Sequence, residues 1–300
     1  MIASDRVFVR APAKINLCLH VGERRVDGYH DLESLAVFAA QEDGIWLERA
    51  EDFSLSVAGP FGAGLSPGND NLAIGAARTL AERTRTRRGV RITLQKEIPL
   101  ASGLGGGSAD AAAVMRGLVR LWSLALDHHD LRRIAASIGA DVPVCIDSAT
   151  AWMEGRGERV TLLPAMPGVW LLLVNPRIAV PTAQVFAAIR ERRGLGLRCP
   201  TEPFDDAPAL VRFLQSTTND LQLSACAIAP VIADVLDEIA RLPGTLLARM
   251  SGSGATCFGL FENDRALRPA LALLRERRPD WWLAGAPLLR KPAGIPAFVQ

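Results

Sequence analysis

The segment Pro99-Leu100-Ala101-Ser102-Gly103-Leu104-Gly105-Gly106-Gly107-Ser108-Ala109-Asp110 joins a β-like run at residues 90–95 to an apolar, alanine-rich run that starts at Ser108. Four of the five residues from 103 to 107 are glycine, so the backbone can take positive φ values and approach a ligand without a Cβ clash. A helix that begins at Ser108 leaves its first amide groups unpaired and carries a partial positive charge at that end. The segment therefore predicts a phosphate-binding loop at a strand-to-helix junction.

Two common phosphate loops do not match this segment. A Walker loop needs Gly-Lys followed by Ser or Thr, and none of the lysines follows a glycine. In the dinucleotide pattern GxGxxG, Gly103 and Gly105 would require a third glycine where Ser108 stands, and the chain lacks a regular βαβ alternation. A flexible linker is the remaining alternative. It is disfavoured because Ile98-Pro99 shortly precedes the glycines and an apolar helix directly follows them.

Arginine supplies almost all of the positive charge. The chain has 34 lysines and arginines, of which only Lys14, Lys96 and Lys291 are lysine. A guanidinium is bulkier than an ammonium and cannot replace it where a compact point charge is needed. The scarcity of lysine therefore favours a specific role for Lys14, whereas Lys291, near the C-terminus, is predicted to be an ordinary surface residue.

The composition limits the class of protein. The 300 residues are 49% hydrophobic and 22% charged, with a formal net charge of +2, so neither a nucleic-acid partner nor a membrane surface is expected. The longest apolar run, at residues 169–174, is too short to cross a bilayer. The five cysteines are far apart and form no CxxC pair, which predicts a cytoplasmic protein without a disulfide framework or zinc site. A monomer and a homodimer are both compatible with this composition.

The order of predicted elements favours an α+β fold, because strands cluster first and helices mix with strands later. Residues 155–168 contain several glycines and prolines, which is typical of a connection between domains. This predicts two domains, at residues 1–160 and 161–300. Residues 191–206 are predicted to be a surface loop. Strands are predicted at residues 6–9, 15–21, 34–38, 45–48, 53–57, 90–95, 143–146, 171–174, 245–250, 255–261 and 281–286. Helices are predicted from Asn69 or Asp70 to about 87, and at 108–124, 131–138, 182–193, 207–215, 228–241 and 266–276.

Three segments in order resemble a known superfamily. They are Ala11-Pro12-Ala13-Lys14-Ile15-Asn16-Leu17, the glycine loop, and Ser251-Gly252-Ser253-Gly254-Ala255-Thr256. This trio resembles the GHMP kinases, which include galactokinase, homoserine kinase, mevalonate kinase and phosphomevalonate kinase. Within them, Asp27-Gly28-Tyr29-His30 and Gly139-Ala140-Asp141-Val142-Pro143 resemble the branch that phosphorylates a cytidine-diphosphate-linked methylerythritol in the non-mevalonate isoprenoid route. The resemblance extends from about residue 7 to the final strand.

The resemblance implies a two-domain GHMP kinase fold. The N-terminal domain would hold ATP and contain a left-handed βαβ unit, against the usual hand, and the C-terminal domain would be a ferredoxin-like α/β domain, with the small-molecule substrate in the cleft between them. The cofactors would be ATP and Mg²⁺, with Ser108 a possible ligand of the ion. Another GHMP kinase, of the homoserine or phosphomevalonate type, remains the alternative, although a cytidine-binding Tyr29-His30 pair would have no purpose there.

Two residues are implied to carry the chemistry. Asp141 would accept the proton of the substrate hydroxyl, and Lys14 beside it would keep that carboxylate ionised and stabilise the charge of the transferring phosphoryl group. Taken alone, Asp141 is better explained as a turn or capping aspartate before Val142-Pro143, and Lys14 could be an exposed strand-edge lysine. Their position among the other motifs favours catalysis for both.

The remaining site residues are implied by the same resemblance. Tyr29 would stack on the cytosine and His30 would bind the base edge, which a flat aromatic ring and a donor/acceptor ring can do. Phe186 would supply a second stacking face, although helix core is an equally good assignment for it. Asn16 would hold the methylerythritol hydroxyls, and Thr182 also belongs to the substrate side. Residues 99–109, together with Lys96 and Asn71 at the adenine end, would bind ATP.

The run Asp127-His128-His129-Asp130 suggests a metal site at first sight. It falls between two predicted helices, where aspartate commonly caps, and a zinc site would need further ligands at defined spacing. We therefore predict a surface loop here.

Overall fold

Two long antiparallel strands pair along most of their length in the first sheet. The computed structural model describes residues 5–290 except 69 and 192. The two strands are β1 (Arg6–Arg24) and β2 (His30–Ala50). The sequence predicted two short strands in place of each. The pairing continues through a register shift between Pro12 and Lys14, because a bulge accommodates a residue that has no N–H to donate.

The first sheet has the strand order β3-β4-β2-β5-β6, and β1 pairs with β2 outside this path. The added strands are β3 (Phe53–Ala58), β4 (Gly89–Gln95), β5 (Ala151–Gly155) and β6 (Arg159–Leu162). Strands β3 and β4 are parallel neighbours, and helix α1 (Leu72–Thr84) connects them. This is the βαβ unit that the family resemblance implied.

Alanine-rich helices cover one face of this sheet. Helix α1 and helix α2 (Gly106–Trp122) place their alanines in one buried cluster with Ile45, Leu47 and Ile92 of the sheet. Small side chains let the helices approach each other and the strands closely. Helices α3 (His128–Ala136) and α4 (Val142–Asp147) extend the same layer.

The second sheet has the order β10-β7-β9-β8, with every neighbour antiparallel. Helices α8 and α9 connect its strands in the order β7-α8-β8-β9-α9-β10, which is the predicted ferredoxin-like arrangement. The elements of this half are β7 (Trp170–Asn175), α5 (Thr182–Ala187), α6 (Ala207–Gln215), α7 (Gln222–Ile228), α8 (Val231–Ala240), β8 (Leu247–Met250), β9 (Cys257–Phe261), α9 (Asp264–Arg277) and β10 (Trp282–Pro287).

Strand β7 is buried on both faces, which explains its uninterrupted apolar sequence. Leu171 and Leu173 pack with Ile15, Leu17 and other residues of the first sheet. The alternate residues Leu172 and Val174 pack with the helices of the second half. The two sheets therefore share a core.

Several predicted elements differ from the observed ones. Residues 143–146, predicted to be a strand, lie in helix α4, because a short apolar run is ambiguous and Pro143 is well placed in the first helical turn. The helix predicted at 228–241 is α8, which begins only after Pro230, and the short helix α7 before it was not predicted. The helix predicted at 182–193 ends at Ala187.

The stretch predicted to be a domain boundary contains strand β6 and then the connection to the second sheet, between Leu162 and Trp170. The division at residues 160/161 stays a prediction. Among the described residues, no helix combines the length and apolar character that a bilayer span requires. Lys291 lies outside the described residues.

Candidate active site

A cleft of about 1200 Å³ lies where the two halves of the chain meet. Its walls come from β1, the start of β2, the glycine loop, the start of α4, helix α5 and the loop at Gly252 and Ser253. The predicted site residues that line it are Lys14, Asn16, Tyr29, His30, Asn71, Lys96, Pro99, Leu100, Ala101, Ser102, Gly103, Gly105, Gly106, Gly107, Ser108, Asp141, Thr182 and Phe186.

The glycine loop has the backbone geometry that its composition predicted. Gly103 and Gly105 have φ values of 75° and 61°, in the left-handed region that favours glycine. Gly105 is the N-cap of α2, and the helix begins at Gly106, two residues before the predicted start at Ser108. The unpaired amide groups of the first turn therefore belong to glycine-rich backbone that faces the cleft.

Both neighbouring motifs hold the loop by hydrogen bonds. The backbone N–H of Lys14 donates to Leu104 O at 2.9 Å, and that of Thr256 donates to Ser102 O at 3.0 Å. The Ser251 hydroxyl donates to Gly103 O at 3.0 Å. The three motifs that the sequence analysis linked thus meet at one place.

Lys14 lies beneath the loop and binds two side chains. Its Nζ donates to Asp141 Oδ2 at 2.9 Å and to Asn16 Oδ1 at 2.8 Å. The Asn16 amide donates in turn to Ser34 Oγ at 2.7 Å, which fixes its orientation. A Cβ on Gly105 would lie 3.0 Å from Lys14 Cε, so the glycine leaves the space that the lysine side chain occupies.

Asp141 precedes α4 but does not cap it. The residue occupies the N-cap position and makes no side-chain capping hydrogen bond. Its side chain is 38% exposed, whereas that of Lys14 is 3% exposed. The carboxylate therefore faces the cleft, with a buried ammonium behind it.

A second buried lysine pairs with two carboxylates close to the loop. Lys96 Nζ donates to Asp43 Oδ2, and to Asp110 Oδ2 at 2.6 Å. Asp43 Oδ1 accepts the backbone N–H groups of Glu97 and Ile98 at 2.6 and 2.9 Å. A Cβ on Gly106 would lie 3.1 Å from Lys96 Nζ, so this cluster directly underlies the first turn of α2.

The cluster carries one more negative charge than positive charge when all three groups are ionised. Burial raises the pKa of Asp110 to about 7, and Asp43 adds to the effect, although Lys96 opposes it. Burial alone would lower the pKa of Lys96, but the two carboxylates outweigh burial and raise that pKa. The family resemblance implied Lys96 as a residue of the adenine end, and neither carboxylate partner was predicted.

The predicted adenine end is apolar. Leu65, Leu72 and Leu100 line it. Asn71 caps α1 through a hydrogen bond from the backbone N–H of Ala73 to Asn71 Oδ1 at 3.0 Å, so the cap is neither Asp70 nor Asn69, which is outside the described residues. The Lys96 ammonium is engaged by its carboxylates, and its assignment to adenine stays a prediction.

Aromatic rings gather at the predicted substrate end. The rings of His30 and Phe186 have centroids 5.3 Å apart. Tyr29, the sole tyrosine of the sequence, is 55% exposed, and the Arg156 guanidinium lies 5.1 Å from its ring centroid. The hydroxyls of Thr182 and Ser253 share a hydrogen bond at 2.8 Å. The sequence analysis did not identify Arg156 or Ser253 as site residues.

The run at residues 127–130 lies away from this cleft. Asp127 Oδ1 accepts the backbone N–H of Asp130 at 2.7 Å and caps α3, as predicted, but residues 128–130 form the first turn of this helix and not the predicted surface loop. Ligand atoms of Asp127, His129 and Asp130 lie within 4.8 Å of one another at an exposed position. The capping bond accounts for this arrangement without a metal ion.

Family comparisons agree with the fold and with the motifs. A family model described as GHMP kinases N terminal domain matches residues 71–149, and one described as GHMP kinases C terminal matches residues 205–278. Together these matches cover just over half of the 300 residues. The chain belongs to the GHMP kinases.

Two relatives that carry the same enzyme name match almost the whole chain. The chain is 48% identical over 296 residues to 4-diphosphocytidyl-2-C-methyl-D-erythritol kinase of Rhodospirillum rubrum, covering 98% of this chain and 97% of the relative. It is 47% identical over 283 residues to the protein of that name from Paramagnetospirillum magneticum, covering 94% and 98%.

Solved structures show the same similarity. A crystal structure of 4-(cytidine 5'-diphospho)-2C-methyl-D-erythritol kinase matches with a TM-score of 0.76 and 34% identity, over 94% of this chain and 99% of that chain. Homoserine kinase from Cytophaga hutchinsonii matches with a TM-score of 0.77 over 98% of both chains, but at 17% identity it shows the shared fold alone.

Proposed function

We propose that this chain transfers the γ-phosphoryl group of ATP to the 2-hydroxyl of 4-diphosphocytidyl-2-C-methyl-D-erythritol, a step of the non-mevalonate isoprenoid route. The observation that carries the proposal is the Lys14–Asp141 pair, which lies beside the glycine loop in the cleft that also contains Tyr29 and His30. The names of relatives at 46–48% identity support the same substrate.

The proposed chemistry needs positioning, charge and a proton acceptor. The substrate hydroxyl oxygen attacks the γ-phosphorus, its proton passes to Asp141, and the bond from the γ-phosphorus to the bridging oxygen breaks to release ADP. The Lys14 ammonium holds Asp141 in place by a hydrogen bond and stabilises the negative charge on the transferring group. The amides at the start of α2 hold the phosphates of the nucleotide.

Mg²⁺ fits the start of α2 through Ser108. Ser108 lines the cleft, and no hydrogen bond from a described side chain or backbone group engages its hydroxyl oxygen. A hydroxyl oxygen is the hard ligand that Mg²⁺ prefers, and the ion usually completes its shell with phosphate oxygens and water. Bound Mg²⁺ would neutralise phosphate charge. The nearby Asp110 carboxylate is occupied by Lys96, so Ser108 is the residue we propose as ligand.

Recognition of the substrate is assigned to the aromatic end. Tyr29 and Phe186 would enclose the cytosine, and His30 would bind its edge. Asn16, fixed by Lys14 and Ser34, would bind the methylerythritol hydroxyls, with Thr182 nearby. We keep the division into an ATP-binding part at 1–160 and a substrate-side part at 161–300. We also propose a cytoplasmic location, which the five free cysteines support.

A coupled assay of ADP release tests the function. With Mg²⁺·ATP and the cytidyl substrate we expect turnover, whereas homoserine and phosphomevalonate, the substrates of the alternative, should leave ADP release at the level seen without acceptor. Faster ADP release with homoserine or phosphomevalonate than with the cytidyl substrate would refute the proposal.

A further inference from the structure

The cations of the cleft differ in how fully they are neutralised. Lys14 is paired with Asp141, and Lys96 with Asp43 and Asp110. Two arginines, Arg24 and Arg156, also line the cleft. Within residues 5–290, leaving out 69 and 192, no carboxylate oxygen lies within 4.0 Å of either guanidinium.

Both arginines lie at the corner that presents Tyr29. Arg24 ends β1, where it pairs with His30, and its Nε donates to Gly28 O at 3.3 Å. Arg156 lies in the turn between β5 and β6, and the pairing of Gly155 with Leu32 sets this turn beside the start of β2. Its guanidinium lies 5.1 Å from the Tyr29 ring centroid.

Neighbouring charges leave these two guanidiniums available. Arg25, next in sequence to Arg24, binds Asp31 at 2.9 Å and lies 3.5 Å from Asp27. These two carboxylates are therefore paired with Arg25 and not with Arg24. Glu158 accepts the backbone N–H of Arg156 at 2.6 Å and makes no ion pair with the side chain of that residue. The turn thereby holds its own acid away from the Arg156 guanidinium.

We propose that Arg24 and Arg156 form an anion subsite for the diphosphate of the substrate; this rests on the proposed function. The diphosphate joins the cytidine, assigned to Tyr29 and His30, to the alcohol, assigned to Asp141, and so must cross the cleft between them. Guanidinium groups bind phosphate oxygens through several parallel N–H donors.

The charge of the cleft favours such a subsite. The carboxylates of Asp110 and Asp141 line the same cleft, and both lysines of its wall already neutralise acids. An ionised diphosphate entering beside ATP would meet net repulsion unless further cations faced it. The other role open to Arg156 is to support the Tyr29 ring by a cation–π contact, and the two roles predict different ligand dependence.

Calorimetric titration with cytidine, CMP and CDP separates these roles. The wild-type protein should bind more tightly as phosphates are added. Arg156→Gln should weaken CDP binding about 10- to 100-fold, the usual effect of losing hydrogen bonds to a charged group, while cytidine binding stays within about twofold. Arg24→Gln should act in the same direction, and Arg156→Lys should retain part of the CDP affinity.

Kinetics and a matched control complete the test. Arg156→Gln should raise KM for the cytidyl substrate and leave KM for ATP unchanged. Arg159→Gln changes an exposed arginine on β6 that does not line the cleft, and it should match wild type in every measurement. Circular dichroism confirms that each variant is folded.

Three outcomes would overturn the inference. Unchanged CDP affinity in both glutamine variants would show that no such subsite exists. Equal weakening of cytidine and CDP by Arg156→Gln would assign this arginine to ring support. Wild-type protein that binds neither cytidine nor CDP would remove the proposed function and this subsite together, so the two failures are distinguishable.

Discussion

The Nζ atom of Lys14 lies 2.9 Å from Oδ2 of Asp141, although 127 residues separate the two in sequence. Lys14 belongs to β1, which pairs with β2 of the first sheet, and Asp141 stands at the start of a short helix. The ammonium is buried and the carboxylate is partly exposed. This asymmetry suits a proton acceptor that faces the substrate while a hydrogen bond from a buried cation fixes its position.

Substitution of either partner should abolish most turnover without abolishing nucleotide binding. Asp141→Asn removes the proton acceptor and keeps the shape of the side chain, and Lys14→Ala removes the cation. We expect kcat to fall at least about 100-fold in each, the usual contribution of a positioned acid or base. The measurements are kcat from ADP release and Kd for an ATP analogue from titration.

The nucleotide titration is the internal control for these two variants, because an intact glycine loop should keep Kd close to wild type. Near-normal kcat in either variant would contradict the assignment of that residue. A loss of nucleotide binding equal to the loss of turnover would indicate damage to the loop instead.

The glycine loop should tolerate no side chain at Gly103. This residue has a φ of 75°, and a Cβ there would overlap the carbonyl oxygen of Ser251. Gly103→Ala should therefore displace the loop and raise KM for ATP at least about tenfold, since misplacement of a ligand-positioning group by about 1 Å costs heavily. The measurement is the ATP dependence of ADP release at saturating acceptor.

Gly75→Ala is the matched control for this change. Gly75 lies in α1, and no atom lies within 4 Å of a Cβ placed there. This substitution should raise the free energy of unfolding by about 0.5–1 kcal/mol and leave KM for ATP unchanged. An unchanged KM for ATP in Gly103→Ala would show that the loop adapts and would refute the steric argument.

The sequence predicted the parts of the site that local chemistry specifies. Glycines at 103 and 105 have the positive φ values that their residue type favours. The two described lysines are both buried against carboxylates, as expected for lysines kept at specific sites. Compact ammonium groups fit these sites better than a guanidinium would.

Long-range pairing could not be predicted in the same way. Asp43, which pairs with Lys96, lies 53 residues from it, and neither motif nor spacing marks an isolated aspartate on a strand. The glycines of the turn that carries Arg156 predict a domain boundary in this part of the chain, but they do not predict that the arginine lies at the cleft. Pairing of β5 with β2, which no local pattern indicates, brings that arginine to the cleft.

The buried Lys96–Asp43–Asp110 cluster should make stability depend on pH. The pKa of Asp110 is raised from 3.8 to about 7 in the folded chain, so between these values the folded state binds more protons than the unfolded state. The free energy of unfolding should therefore fall as pH rises through that window. Asp110→Asn should reduce this fall, because the amide carries no titrating proton.

Urea unfolding at intervals from pH 4.5 to 7.5, in buffer with EDTA, measures this effect as the difference between variant and wild type. Asp237→Asn is the control, because that carboxylate is exposed on α8, and its difference from wild type should not vary over the window. If the difference in free energy of unfolding between Asp110→Asn and wild type also stays constant from pH 4.5 to 7.5, the assigned titration of Asp110 is wrong.

Arg249 should be the strongest single link between the two sheets. It lies on β8, and its guanidinium donates to Leu17 O of β1 at 2.7 Å, to Leu214 O at 2.8 Å and to Thr217 O at 2.9 Å. Arg249→Met keeps much of the apolar length but leaves Leu17 O and Thr217 O without that donor. Leu214 O still accepts the backbone N–H and the hydroxyl of Thr217. Because each unsatisfied buried acceptor costs about 1–3 kcal/mol, we expect the free energy of unfolding to fall by at least about 2 kcal/mol.

The same substitution at Arg241 gives the comparison. Arg241 forms an exposed pair with Asp237 on one helix at 3.0 Å, and such pairs contribute about 0.5 kcal/mol or less. Urea unfolding of the two methionine variants at neutral pH should therefore differ clearly, with Arg249→Met the less stable. Equal stability would mean that water replaces the guanidinium at little cost, and that the shared apolar core alone joins the two sheets.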